Sequence, residues 1–221
     1  MADPFAQLIP EAKTFLAELT ENNSREWFHA SKTRYDAQLK TPSKLLQDQI
    51  SAHLRKDTGL SVTTKLFRPQ RDIRFSKDKT PYHTHLHMFW LLQGPLDFGL
   101  FFGISPIYCK IGGGVMSFGK NQLLSWRESV DSARGADITT TLDILAQNGF
   151  ANEEPELKRV PSAYGKDHPQ ADLLRRKSLT LWRNLPSTDW SQPQTALNTG
   201  FTELLQLQDV LTQSLAVRNT S

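Results

Sequence analysis

The chain has 221 residues, of which 38% are apolar and 22% charged, and a formal net charge of +3. These proportions fit one hydrophobic core large enough to stand without metals or disulfides, and they exclude a disordered chain, which would carry fewer aromatics and a larger net charge. The single cysteine, Cys109, rules out a disulfide framework; no long apolar run and no basic-then-apolar start is present, so neither membrane spanning nor export is expected and a cytoplasmic setting fits.

Pro10 suits the first position of a helix whose Phe15, Leu16 and Leu19 share one face, with Asn22-Asn23 ending it in left-handed geometry. Ser24 is placed to cap a second helix carrying Trp27, Phe28, Tyr35 and Leu39 inward. Thr41-Pro42 should stop it and start a third, bearing Leu46, Ile50 and Leu54 at i, i+4 and i+8. From about Val62 the period changes to two. Ile73 and Phe75 alternate with Asp72, Arg74 and Ser76, and Leu86, Met88, Trp90 and Leu92 alternate with His83, His85, His87 and Phe89. Phe98–Ile104 and Ile107–Phe118 read as two more strands joined at Ser105-Pro106, with Cys109 on the apolar face and Gly112-Gly113-Gly114 marking a bulge or a close backbone approach.

Helical periodicity returns at Leu123, Leu124, Trp126 and Val130, and again over Leu142–Ala146. Residues 148–165 read as a surface excursion, followed by a helix starting at Pro169, with Arg175-Arg176-Lys177 further along it, and a last helix around Phe201–Leu215 before a fraying terminus. The expected fold class is α+β: an antiparallel sheet of consecutive hairpins packed against N-terminal and C-terminal helices. A single domain over residues 1–221 is expected, with N-terminal helices over about 5–56, the sheet over about 60–119 and a C-terminal helical part over about 120–216.

Positive charge is concentrated. Lys65–Lys79 and Lys158–Lys177 each hold six bases against two acids, so the remainder of the chain is net acidic. If the strands flanking Lys77–Pro81 pair with Phe75 opposite Tyr82, then Arg74 falls opposite His83 and Asp72 opposite His85 on the polar side of the sheet. An aspartate beside a histidine can orient the imidazole as a general base, and an arginine can stabilise developing negative charge, so Asp72 and His85 are the candidate catalytic residues. The same residues also read as ordinary cross-strand pairs on a solvated face. His83, His85 and His87 project three imidazoles to one side, but consecutive i, i+2 spacing does not converge them on one ion, and no metal is assigned. Arg71, Arg74, Lys77 and Lys79 around the tip are the candidate anion-binding residues, with Arg25 and Arg159 as further donors. His168 in Asp167-His168-Pro169 is read as a helix cap. Trp27, Tyr82, Trp90 and Phe101 could stack bases, though the alternation buries Tyr82 and Trp90.

Three runs of sequence are distinctive: Asn22-Asn23-Ser24-Arg25-Glu26-Trp27-Phe28; Arg71-Asp72-Ile73-Arg74-Phe75-Ser76-Lys77-Asp78-Lys79-Thr80-Pro81-Tyr82; and Lys158-Arg159 with Tyr164 and Asp167-His168-Pro169. In that order they resemble the bacterial and fungal family known as domain of unknown function 2461, over essentially the whole chain from Phe5 to the last helix. The resemblance implies no activity, substrate or cofactor. That family usually carries Lys where this chain has His83, which speaks against a three-histidine metal centre. It carries Pro-Arg-Gly character where this chain has Val160, Ser162 and Ala163, and its pattern matches His85.

The reading these observations favour is a pocket for a small anionic ligand, bearing phosphate or carboxylate, where the hairpin tip meets the N-terminal helices, with Asp72 and His85 transferring a proton if chemistry occurs. Two other readings stand beside it. One is a non-catalytic protein that meets nucleic acid or a protein through the two basic windows; the other is a structural ion-pair network formed by the alternating charges of Arg71–Lys79. Neither an enzymatic activity nor a cofactor is legible in the pattern.

Overall fold

The computed structural model describes residues 3–215, so the expected fraying of the last residues lies outside the described residues. The protein is α+β, with helices at both ends of the chain and a six-stranded antiparallel sheet in the order β1-β2-β3-β4-β6-β5. The strands are β1 Ser61–Leu66, β2 Leu86–Gln93, β3 Phe98–Ile104, β4 Cys109–Val115, β5 Ala151–Asn152 and β6 Leu179–Asn184. The chain divides into two compact units. One holds the chain up to Leu91 with Phe101–Ile111 and Asn184–Thr199; the other holds Leu92–Leu100, Gly112–Arg183 and the chain from Gly200.

In the first unit, α1 (Leu8–Glu21) buries Leu8, Ile9, Ala12, Phe15, Leu16 and Leu19. It begins two residues before Pro10, which is tolerated in a first turn whose N–H groups have no intrahelical partner. Asn22 does not end it in left-handed geometry: its φ is −127°, and both its backbone N–H and its Nδ2 donate to the Glu18 carbonyl. Ser24 does cap α2 (Arg25–Ala30), accepting from the Trp27 N–H at 3.2 Å.

The second expected helix is broken at Ser31 into α2 and α3 (Lys32–Tyr35). Thr41-Pro42 does not stop the chain, because a single π-helical turn, Asp36–Lys40, carries it directly into α4 (Thr41–Thr58). Pro42 removes one donor and its ring crowds the preceding turn, and the wider π turn accommodates both. Leu46, Ile50 and Leu54 of α4 face the core as their spacing requires. Gln47 ties that helix to β2, its carbonyl accepting from the Trp90 indole at 3.1 Å and its amide donating to the Phe89 carbonyl at 3.3 Å. On β2, Leu86, Met88 and Trp90 are buried while His87, Phe89 and Leu91 on the other face stay partly exposed.

The second unit is built around α5 (Lys120–Val130), α6 (Arg134–Gln147) and the C-terminal part of α8 (Pro193–Leu215). Trp126 is fully buried, stacks on Phe118 with centroids 5.0 Å apart and donates its indole N–H to the Leu173 carbonyl at 3.0 Å. The helix expected from Pro169 is a single turn, α7 (Ala171–Leu174), after which the chain turns into β6. The alternation of buried Leu179 and Leu181 with half-buried Thr180 and Trp182 explains the strand, and β5 pairs with it at Ala151↔Trp182 and Asn152↔Leu181. Gly112 and Gly114 permit a close backbone approach. A Cβ on Gly112 would strike the Trp182 ring; one on Gly114, whose φ is +145°, would strike the Leu179 carbonyl. Among the described residues no helix is long and apolar enough to cross a membrane.

Candidate functional site

Residues 67–85 join β1 to β2, and the expected hairpin is replaced there by a braced loop. The only bridge between its arms pairs Gln70 with Tyr82, supported by Arg71 N–H to the Pro81 carbonyl at 2.9 Å and His83 N–H to the Pro69 carbonyl at 2.7 Å. Tyr82 therefore lies opposite Gln70, not Phe75, and the expected register of Arg74 with His83 and Asp72 with His85 does not form. Phe75, assigned by alternation to the apolar face, is 96% exposed.

Side-chain bonds to nearby backbone outcompete the strand ladder here. Asp78 accepts from the Thr80 N–H and from its hydroxyl, both at 2.9 Å. Arg71 clasps the loop from behind, donating to Asp78, to the Thr80 carbonyl at 3.1 Å and to the Thr80 hydroxyl. Asp72 takes three bonds from Arg74: Nη2 at 2.6 Å, Nε at 2.9 Å and the backbone N–H at 3.3 Å. Lys79 donates to the Ile73 carbonyl at 3.1 Å. The bonds from Thr80 and Arg71 pull the Asp78 carboxyl down to about 2, and Arg74 lowers Asp72.

The candidate residues thus separate into those used within the loop and those outside it. Arg71, Arg74 and Lys79 spend their donors on the loop itself, and Lys77 is exposed. Asp72 is bound to Arg74 and has no bond to His85. Arg25 is an exposed residue of α2, and Arg159 is exposed in the second unit. The loop does meet the N-terminal helices as expected. Asn23 donates to the Tyr82 carbonyl at 3.0 Å and accepts from the Tyr82 N–H at 3.1 Å, while Phe28 stacks on the Tyr82 ring at 4.1 Å and 16°.

Beside this junction lies a cleft of about 290 Å³ between α2, α3, the π turn, the start of α4 and residues 66–70. Four cations line it, Lys32, Lys40, Lys44 and Arg68, against one carboxylate, Asp36. Asp36 engages Lys32 and lies 3.6 Å from Lys40, and those two lysines lower its carboxyl. Among the described residues neither Lys44 nor Arg68 forms a salt bridge. Phe28, Tyr35 and Phe67 supply apolar walls. Sequence reasoning missed this set, although Lys32, Asp36, Lys40 and Lys44 recur every four residues, the spacing that puts side chains on one helical face.

The histidines form a column. Ring centroids lie 4.7 Å apart for His83 and His85, and 3.8 Å apart for His85 and His87, the latter pair inclined by only 18°. A metal must lie in the plane of an imidazole to meet its lone pair. For rings so nearly parallel, an ion in the plane of one is displaced from the other's plane by most of that separation. Among the described residues no group of three or more His, Cys, Asp or Glu side chains is arranged to hold a metal.

His87 Nε2 is 2.7 Å from the Tyr108 hydroxyl, a contact made over Gly103, where an added Cβ would lie 3.0 Å from the imidazole Cδ2. Burial is the main cause that lowers all three imidazoles, taking His87 to about 4; Arg71 adds to the effect at His83, His83 at His85, and His85 and Lys110 at His87. Burial likewise raises Tyr108. Tyr108 and Gly103 were not singled out from sequence, since nothing in their local pattern signals a bond across an intervening strand.

In the second unit, His168 Nδ1 accepts from the Gln170 N–H at 2.9 Å, leaving the proton on Nε2 to be donated to Asp131 at 3.0 Å. Both ring nitrogens are engaged, which leaves no free base; α7 has Gln170 at its N-cap, so His168 lies two residues before the cap it was expected to supply. Arg176, only 6% exposed, donates to Asp172 and to the Glu153 carbonyl, and Arg175 also pairs with Asp172. The two basic windows therefore belong to different units, each with much of its charge engaged locally.

A family model described as a conserved hypothetical protein, DUF2461, matches residues 11–209. The chain belongs to that family. DUF2461 membership covers both units, including the braced loop, Asn23 with Tyr82, and His168. No curated protein and no solved structure matches the chain.

Proposed function

We propose that this DUF2461 protein binds a small anionic ligand, bearing phosphate or carboxylate, in the cleft lined by Lys32, Lys40, Lys44 and Arg68. The carrying observation is the imbalance of charge: four cations face one carboxylate, and Lys44 and Arg68 form no salt bridge among the described residues. Charge-assisted bonds to such groups are stronger than neutral ones, and Phe28, Tyr35 and Phe67 give a ligand apolar surface beside them. The volume of about 290 Å³ suits a small metabolite. Arg71, Arg74, Lys77 and Lys79 belong to the loop whose residues 67–70 line one side, without lining the cleft themselves, and Arg25 lies on a neighbouring helix. Proton transfer by Asp72 and His85 has no support from their hydrogen bonds, since Asp72 bonds to Arg74.

The test is a thermal-shift screen of phosphorylated metabolites, nucleotides and carboxylates on the wild type, Lys44→Ala and Arg68→Ala. A ligand should raise the wild-type melting temperature and lose that effect in both variants. Stabilisation that persists in both removes the cleft as the site.

A further inference from the structure

We propose that the outer face of the sheet in the first unit binds single-stranded nucleic acid. The inner face of β2 is core, with Leu86, Met88 and Trp90 no more than 2% exposed. Its outer face carries aromatic rings that are only partly covered. His85 and His87 stack, Phe89 meets Phe101 of β3 at 4.7 Å, and Tyr108 lies 6.2 Å from His87. At the edge of this tract Phe67 is 37% exposed and meets His87 edge-on at 6.3 Å. Gly103 makes the tract continuous, because the space that its missing side chain would fill is taken by the His87 and Tyr108 rings.

Charge favours a polyanion. Lys65 sits 4.6 Å above the Phe67 ring and Lys110 sits 5.1 Å from the centre of the Tyr108 ring, which places a cation at two separate points of the tract. Arg68 follows Phe67 directly and forms no salt bridge among the described residues. Neutral imidazoles support the same reading. Burial disfavours their charged form, with Arg71 adding to this at His83 and His83 at His85, so His83 and His85 present flat, uncharged rings whose nitrogens make no hydrogen bond within the described residues. Aromatic planes that take up bases, interspersed with lysines that track phosphates, are the means by which single strands are held with little sequence preference. A duplex keeps its bases stacked inside and offers nothing to those planes. Of the aromatics that the sequence offers for stacking, Phe101 belongs to this tract, whereas Trp90 is fully buried, as the alternation predicts, and Tyr82 is stacked on Phe28.

The experiment is fluorescence anisotropy of labelled oligothymidylate and oligouridylate of about 12 nucleotides, against a duplex of equal length, at about 50 mM and about 200 mM salt. The wild type should prefer single strands and weaken with salt. His85→Ala and Lys110→Glu should each lower affinity by about tenfold, while His85→Phe, which keeps a ring, should retain it. Lys177→Glu, an equal charge change on an exposed residue of the second unit, should leave binding unchanged. Should His85→Ala fail to fold by circular dichroism, Lys65→Glu replaces it with the same expected loss. Absence of single-strand binding at the lower salt overturns the proposal, as does equal affinity for duplex. So does a loss in Lys177→Glu that matches the loss in Lys110→Glu.

Discussion

Protonating His87 should destabilise the fold, and the size of the effect follows from its surroundings. The imidazole is lowered from 6.5 to about 4, first by burial and then by His85, Lys110 and His83. Tyr108 bonds its Nε2, and Phe67 meets its ring edge-on. In the unfolded chain the group titrates near 6.5, so between that value and about 4 the unfolded state binds more protons and stability rises with pH. The stabilisation is complete above the unfolded value and is lost as pH falls towards 4. At about 1.4 kcal/mol per pKa unit the ceiling is about 3 kcal/mol, and solvent screening of a partly exposed ring reduces the expected loss to about 2 kcal/mol. Urea unfolding at pH 7.5, 6.5, 5.5 and 4.5 (assay values at about one-unit steps spanning the His range) should show this loss in the wild type and a smaller one in His87→Gln, which cannot take a second proton. The lowered carboxylates Asp72 and Asp78 lose their contributions only below this window, so they do not mimic it. Parallel stability curves for the two proteins across the window would refute the reasoning.

Gly103→Ala should destabilise by about 1–3 kcal/mol, because the added Cβ lies 3.0 Å from His87 Cδ2 and 3.2 Å from its Nε2; the denaturant midpoint measures this. Asn23→Ala removes both bonds to the Tyr82 backbone and should lower stability by about 1–3 kcal/mol, with faster proteolysis of the loop that follows Gln70. Cys109 is 3% exposed and burial pushes its thiol up to about 12, so a thiol reagent should label it only on the timescale of unfolding. Rapid labelling of the native protein would contradict that burial.

Much of the fold is legible because period and burial coincide. Phe98–Ile104 is a strand with the bounds its composition suggests, and Leu46, Ile50 and Leu54 face the core at their four-residue spacing. The failures have local causes. Ile73 and Phe75 alternate with polar residues as a strand would, but Asp72 and Asp78 each capture a nearby N–H and an arginine, and turns within the segment satisfy its polar groups without a ladder. The helix expected from Pro169 extends to Arg175-Arg176-Lys177, whose charges suit a helix end, but it stops at Leu174, and the alternation of Leu179 and Leu181 that makes β6 is not among the strands read from sequence. Of the candidate site, the meeting of loop and N-terminal helices was legible, whereas the cleft was not. Its cations come from a helical face and from a loop residue, and only the fold brings Arg68 beside Lys44.

Local pairing also decides which cations are available to a ligand. In Arg71–Lys79 bases and acids alternate within a few residues, so each arginine reaches a carboxylate without crossing the fold. In the cleft Lys32 and Lys40 share the single Asp36 while Lys44 and Arg68 form no salt bridge among the described residues, and positive charge remains in excess. A ligand that binds only the native state stabilises by RT ln(1 + [L]/Kd), about 2.7 kcal/mol at a hundredfold excess over Kd. Arg68→Ala should remove most of that gain. Arg74→Ala should keep it, since Arg74 is 76% exposed and already bonded to Asp72, and the variant's own unliganded melting temperature reports any effect on the loop. Equal loss of ligand stabilisation in the two variants would return the loop tip to the centre of the site and remove the distinction drawn between paired and unpaired cations.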